Sequence, residues 1–144
     1  QVRSFEEVDA LASRIETVNR KWRNYSTAIG EAMEFSQAQF ASAPACDRQV
    51  IDISGDGSSN EGVEPKDAAA ELLAAGTTVN ALVIEGAEPM LTEYFWENVI
   101  LGPGAFVITA NSFDEYPMRM RMKLLREVSK PVSKLTLPVT KRPL

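Results

Sequence analysis

Near the start of the chain, apolar side chains fall at Phe5, Val8, Leu11, Ala12, Ile15 and Val18, with Glu, Asp and Arg between them. Steps of three and four gather them on one stripe and predict an amphipathic helix from Ser4 to Val18. A polar stretch, Asn19 to Ser26, follows. A second helix is expected from Thr27 to Ala41, burying Ile29, Ala32, Met33 and Phe40, with Pro44 closing that neighbourhood.

From there the pattern alternates strand and helix, which is the mark of a parallel α/β sheet. The strand Gln49 to Ser54 (QVIDIS) enters the loop GDGSSNEG. A helix then begins near Pro65, with Ala68, Ala69, Leu72 and Leu73 on its inner face and Gly76 as its stop. The strand Thr78 to Ile84 (TVNALVI) leads to a helix from Pro89 to Val99. The strand Ala105 to Ala110 (AFVITA) passes through Ser112, whose spacing to Glu115 suggests a capping box, into a last helix from Asp114 to Val128. MRMRMKLL within it alternates like a strand. Met, Arg, Lys and Leu are nevertheless strong helix formers, and Leu124, Leu125 and Val128 are expected to make its apolar face. The predicted class is α/β: a doubly wound parallel sheet with flanking helices, its strands stacked in sequence order.

Charge is split along the chain, with a balance of −12 over residues 1–115 and +7 over residues 116–144. The expected arrangement is a basic last helix against an acidic body. Residues 129–144 hold three prolines and four basic side chains with no helical period, which predicts an extended or disordered tail following a domain at residues 1–128. The overall charge of −5 argues against nucleic acid as a partner. No apolar run approaches the roughly 18 residues of a membrane helix.

The chain has no histidine, which removes Ser-His-Asp and Cys-His nucleophile systems and HExxH zinc sites together. Cys46, the one cysteine, has no intrachain disulfide partner.

Candidate chemistry concentrates in DISGDGSSN, Asp52 to Asn60, at the carboxyl end of the first strand, where ligands sit in open parallel sheets. As an EF-hand-like loop it fails, because Val63 stands where a bidentate Glu belongs and a strand precedes it. As a phosphate cradle it lacks the P-loop Lys and the third Gly of a dinucleotide fingerprint. An aspartyl nucleophile at Asp52 would want a second carboxylate where Ser54 stands. The plain structural reading is that Gly55, Asp56, Gly57 and Asn60 are turn formers. Asp52, between Ile51 and Ile53, reads as a structural carboxylate.

Five blocks carry a resemblance: YSTAIGEAMEFS (Tyr25 to Ser36), CDRQVIDISGDGSSNEG (Cys46 to Gly62), AAGTTVNALVI (Ala74 to Ile84), LGPGAFV (Leu101 to Val107) and MKLLREV (Met122 to Val128). Together they resemble the C-terminal two-thirds of a bacterial von Willebrand factor type A-like family, over residues 4–128. The resemblance implies a Rossmann-like α/β fold with a metal-ion-dependent adhesion site, built from Asp-x-Ser-x-Ser, a Thr and an Asp. Residue by residue, Thr27 matches the Thr and Asp56, followed by Gly57, the Asp. Thr27 also reads as the N-cap of the second helix. No Asp-x-Ser-x-Ser occurs in these 144 residues, so the site's first-strand ligands are lacking.

The implied function is a non-enzymatic ligand-binding or protein-interaction module. When complete it would depend on Mg2+ or another divalent cation, and its partner would offer an accessible carboxylate. The alternatives are an inactive structural remnant or scaffold, and a metal-dependent hydrolase using Asp56. Because the chain starts at Gln1 and the resemblance starts inside the domain, a fragment of a longer protein is expected, periplasmic or secreted as such family members are. Lacking a neighbour on one side, Gln49 to Ser54 should present an open sheet edge capable of self-association.

Overall fold

A computed structural model describes residues 2–19 and 26–129. The expected polar stretch from Asn19 to Ser26 and the tail from residue 130 onward fall largely or wholly outside the described residues.

Helix α1, Phe5–Thr17, starts at Ser4, whose hydroxyl accepts the Glu7 N–H at 3.3 Å. Its apolar stripe forms as predicted, yet none of its residues is buried. Helix α2 runs Ile29–Gln39 and passes into a 3-10 turn, Phe40–Ser42. It is shorter than the expected span. The cap position falls on Ala28 without a side-chain cap, because Thr27 is drawn into the neighbouring loop. Ile29 and Met33 are buried and Phe40 half-buried, whereas Ala32 faces solvent.

The remaining elements are strand β1 (Val50–Gly55), helix α3 (Pro65–Ala74), strand β2 (Thr78–Ile84), helix α4 (Leu91–Asn98), strand β3 (Val107–Ala110) and helix α5 (Tyr116–Val128). The three strands form a parallel sheet in the order β1-β2-β3, with Asp52 beside Asn80 and Leu82 beside Ile108. The fold is therefore α/β, a parallel sheet flanked by helices, compatible with part of a Rossmann-like fold. Among the described residues β1 pairs only with β2, so its other edge is open.

Alternation along the strands separates two faces. Ile51, Val79, Ala81 and Val83 meet Met33 of α2, Leu72 of α3 and Leu91 and Phe95 of α4 in the main core. Leu72 and Phe95 are fully buried, each contributing about 1.5–3 kcal/mol by leaving water. Leu73 was expected on the inner face of α3 but is 53% exposed. Helix α4 starts later than predicted because Met90 takes a left-handed conformation, with φ 63°. The opposite face is smaller: Leu82, Ile84 and Ala110 under Tyr116 and Met120 of α5.

Helix α5 departs most from expectation. MRMRMKLL is helical, but Leu124, Leu125 and Val128 are exposed and Lys123 is buried instead. The reason lies beneath it. β1 and β2 present Asp52 and Asn80 side by side on this face, and a polar floor draws the ammonium inward while the leucines turn out. The capping box at Ser112 does not form either. Glu115 instead accepts from the Asn111 backbone and side chain at 3.2 Å, and a 3-10 turn, Phe113–Glu115, precedes the helix. Of the basic residues of α5, Lys123 alone pairs with a carboxylate of the sheet among the described residues. Arg119 pairs with Glu115, and Arg126 stacks 3.8 Å over the Phe106 ring.

Candidate functional site

Parallel pairing places the loops after β1, β2 and β3 at one rim, together with the start of α2. Gly55 ends β1 against Phe95, where an added Cβ would lie 3.0 Å from the ring. The loop beyond is stitched to its surroundings residue by residue. The Ser58 N–H donates to Glu88 at 2.9 Å and the Ser59 N–H to the Tyr94 hydroxyl at 3.2 Å. The Ser59 hydroxyl accepts the Ile29 N–H at 3.2 Å, supplying the cap that Thr27 does not. Asn60 and Thr27 clamp each other: the Thr27 N–H donates to Asn60 Oδ1 at 2.8 Å, and the Asn60 N–H returns to the Thr27 carbonyl at 2.9 Å.

Close approach depends on two glycines. A Cβ on Gly30 would fall 2.1 Å from the Val63 carbonyl oxygen, and one on Gly62, at φ +78°, would fall 1.5 Å from Glu31 Oε1. Glu31 uses that oxygen to accept the Val63 N–H at 2.7 Å, while its Oε2 is buried with no partner among the described residues.

Thr27 and Asp56 both lie at this rim. Thr27 is half-buried and held through its backbone, and its hydroxyl makes no hydrogen bond among the described residues. Asp56 is exposed, and its carboxylate has no hydrogen bond or ion pair there. One carboxylate and one hydroxyl suit a hard divalent ion in kind, but such an ion takes about six oxygens. Among the described residues no group of three or more Cys, Asp or Glu side chains is placed to hold a metal. The donor set is thus incomplete by itself.

Sequence reasoning passed over Ser59, Glu88 and Tyr94 and read Asn60 only as a turn former; together the four position this loop. Their signal is tertiary: Tyr94 lies 35 residues from Ser59. Beside the rim, the backbone N–H of Thr92, at 2.8 Å, and its hydroxyl hold the Glu85 carboxyl below its ordinary range.

A cleft of about 930 Å3 lies elsewhere, at the amino ends of the strands, lined by Arg48, Asp52, Asn80, Phe106, Arg126 and Glu127 among others. Two of its lining residues, Asp52 and Glu127, are bridged by the buried Lys123, and Asn80 donates to Glu127 at 3.3 Å while accepting the Phe106 N–H. Burial raises the Glu127 pKa, opposed by the hydrogen bond from Lys123 and reinforced by the Asp52 carboxylate. Asp52 is therefore a structural carboxylate, as its place in the sequence suggests. Neither Thr27 nor Asp56 lines this cleft.

Residues 1–132 match a family model described as protein of unknown function (DUF1194). The chain belongs to this family. The match spans every helix and strand described above and both Thr27 and Asp56. No curated protein and no solved structure matches the chain.

Proposed function

We propose that this DUF1194 chain is a von Willebrand factor type A-like module that binds a partner and does not catalyse a reaction. Its binding end is the rim holding Thr27 and Asp56. The observation that carries the reading is the contrast within that rim. Backbone groups around Thr27 and along Ser58 to Asn60 are clamped, whereas the Thr27 hydroxyl and the Asp56 carboxylate are left without protein partners among the described residues. Clamped backbone with uncommitted oxygens suits an outside electrophile, a divalent cation such as Mg2+, that in turn meets a carboxylate of the partner.

The two oxygens need company, and the open edge of β1 offers a place for it: a further strand pairing there would bring its own carboxyl end to the same rim. In this reading the remaining ligands come from an Asp-x-Ser-x-Ser segment at that edge.

Calorimetry with Mn2+ tests the proposal. The 144-residue chain should bind no tighter than about millimolar. The same chain extended by a segment bearing Asp-x-Ser-x-Ser should bind distinctly tighter, and Asp56→Ala should abolish the gain. A tight site in the chain alone, or a gain that survives Asp56→Ala, would overturn it.

A further inference from the structure

Helix α5 turns its apolar side chains outward. Tyr116, Met120, Lys123 and Glu127 face the sheet, while Met118, Met122 and Leu125, on successive turns of the opposite side, are 54%, 48% and 55% exposed. Scattered exposed apolar residues are ordinary, but a continuous stripe along a whole helix marks a surface that is covered. Helix α1 carries a matching stripe: Phe5, Val8, Leu11 and Ile15 are all exposed, and no residue of the helix is buried. Both helices are 13 residues long.

Their charges are complementary. Within its span α1 carries Glu6, Glu7, Asp9 and Glu16 against Arg14, a balance of −3, and α5 carries Arg119, Arg121, Lys123 and Arg126 against Glu127, a balance of +3. By helical position, Glu7 borders the α1 stripe on one side, with Arg14 next to it, and Asp9 and Glu16 border it on the other, whereas Arg121 borders the α5 stripe on one side and Arg119 and Arg126 on the other. Among the described residues nothing of the same chain buries either face.

We infer that the outer face of α5 seats the α1 helix of a second copy of this chain. Reciprocal exchange gives a closed two-fold dimer in which each apolar stripe covers its counterpart and acidic borders meet basic ones. This surface is separate from the Thr27–Asp56 rim and does not rest on the function proposed for it.

Sedimentation of the full chain at on the order of 100 μM should show a dimer that weakens with added salt. Ile15→Asp and Met122→Asp alter exposed residues, so each should keep the circular dichroism of the parent yet raise the dimer dissociation constant at least about tenfold. In a Cys46→Ser background, differently tagged Leu11→Cys and Met122→Cys copies should form a mixed disulfide when combined. A monomer at this concentration, a dimer indifferent to both Asp substitutions, or failure of the mixed disulfide would each overturn the inference. Indifference to both would shift attention to the open edge of β1.

Discussion

Lys123 of α5 and Asp52 of β1 form an ion pair across the helix–sheet interface, with the lysine side chain 1% exposed. Glu127, one turn along the helix, closes a triad on the same ammonium. Lys123→Met keeps the side chain's length but leaves two carboxylates facing each other. It should cost about 2–4 kcal/mol, toward the low end for a broken buried pair because Asp52 is 41% exposed. Urea denaturation of the variant checks this, and an unchanged midpoint would contradict it.

The same triad sets a pH dependence. Burial, with the Asp52 carboxylate adding to it, raises the Glu127 pKa above the ordinary carboxylate range. A carboxyl group raised in the folded state holds its proton more tightly there, so its contribution is full below the unfolded pKa and is lost as pH climbs through the folded value. Glu127→Gln removes that loss. Relative to the parent, its stability should improve between pH 4 and pH 7, as measured by denaturation at both values; a difference independent of pH would contradict the assignment.

The rim depends on close packing against glycine. Gly30→Ala drives a methyl into the Val63 carbonyl, and Gly62→Ala adds an unfavourable positive φ to a collision with Glu31. Each should destabilise by about 2 kcal/mol or more, read as a lowered thermal midpoint. Gly76→Ala, whose Cβ meets nothing within 4 Å, carries only the backbone strain of φ +75° and should cost less than Gly62→Ala.

Asn60→Ala removes the acceptor for the Thr27 N–H. The expected cost is about 1–2 kcal/mol, with faster amide exchange at Thr27. Exchange at Thr27 as slow as in the parent would show that the clamp is not what holds it.

Periodicity made the order of helices and strands legible, because amphipathic stripes and apolar strand runs are local signals. Facing was legible only where the core is apolar throughout, as at Leu72. It failed at Lys123, since no local feature says that Asp52 and Asn80 will lie beneath α5. The rim was half legible: the loop from Gly55 to Asn60 advertises itself by its turn residues, whereas the Thr27–Asn60 clamp joins residues 33 apart and depends on tertiary placement. Thr27, expected as a helix cap, was recruited by that clamp, and Ser59 took over the capping contact to Ile29.

The claim that the rim is a cation-binding end is tested most directly by paramagnetic broadening, which reports even weak sites. When Mn2+ is titrated into the full chain, amides of Thr27 and of Asp56 to Asn60 should broaden first, and Asp56→Ala should remove the effect. Broadening centred instead on Asp52 and Glu127 in the cleft, or on the acidic residues of α1, or persisting at the rim in Asp56→Ala, would contradict the account.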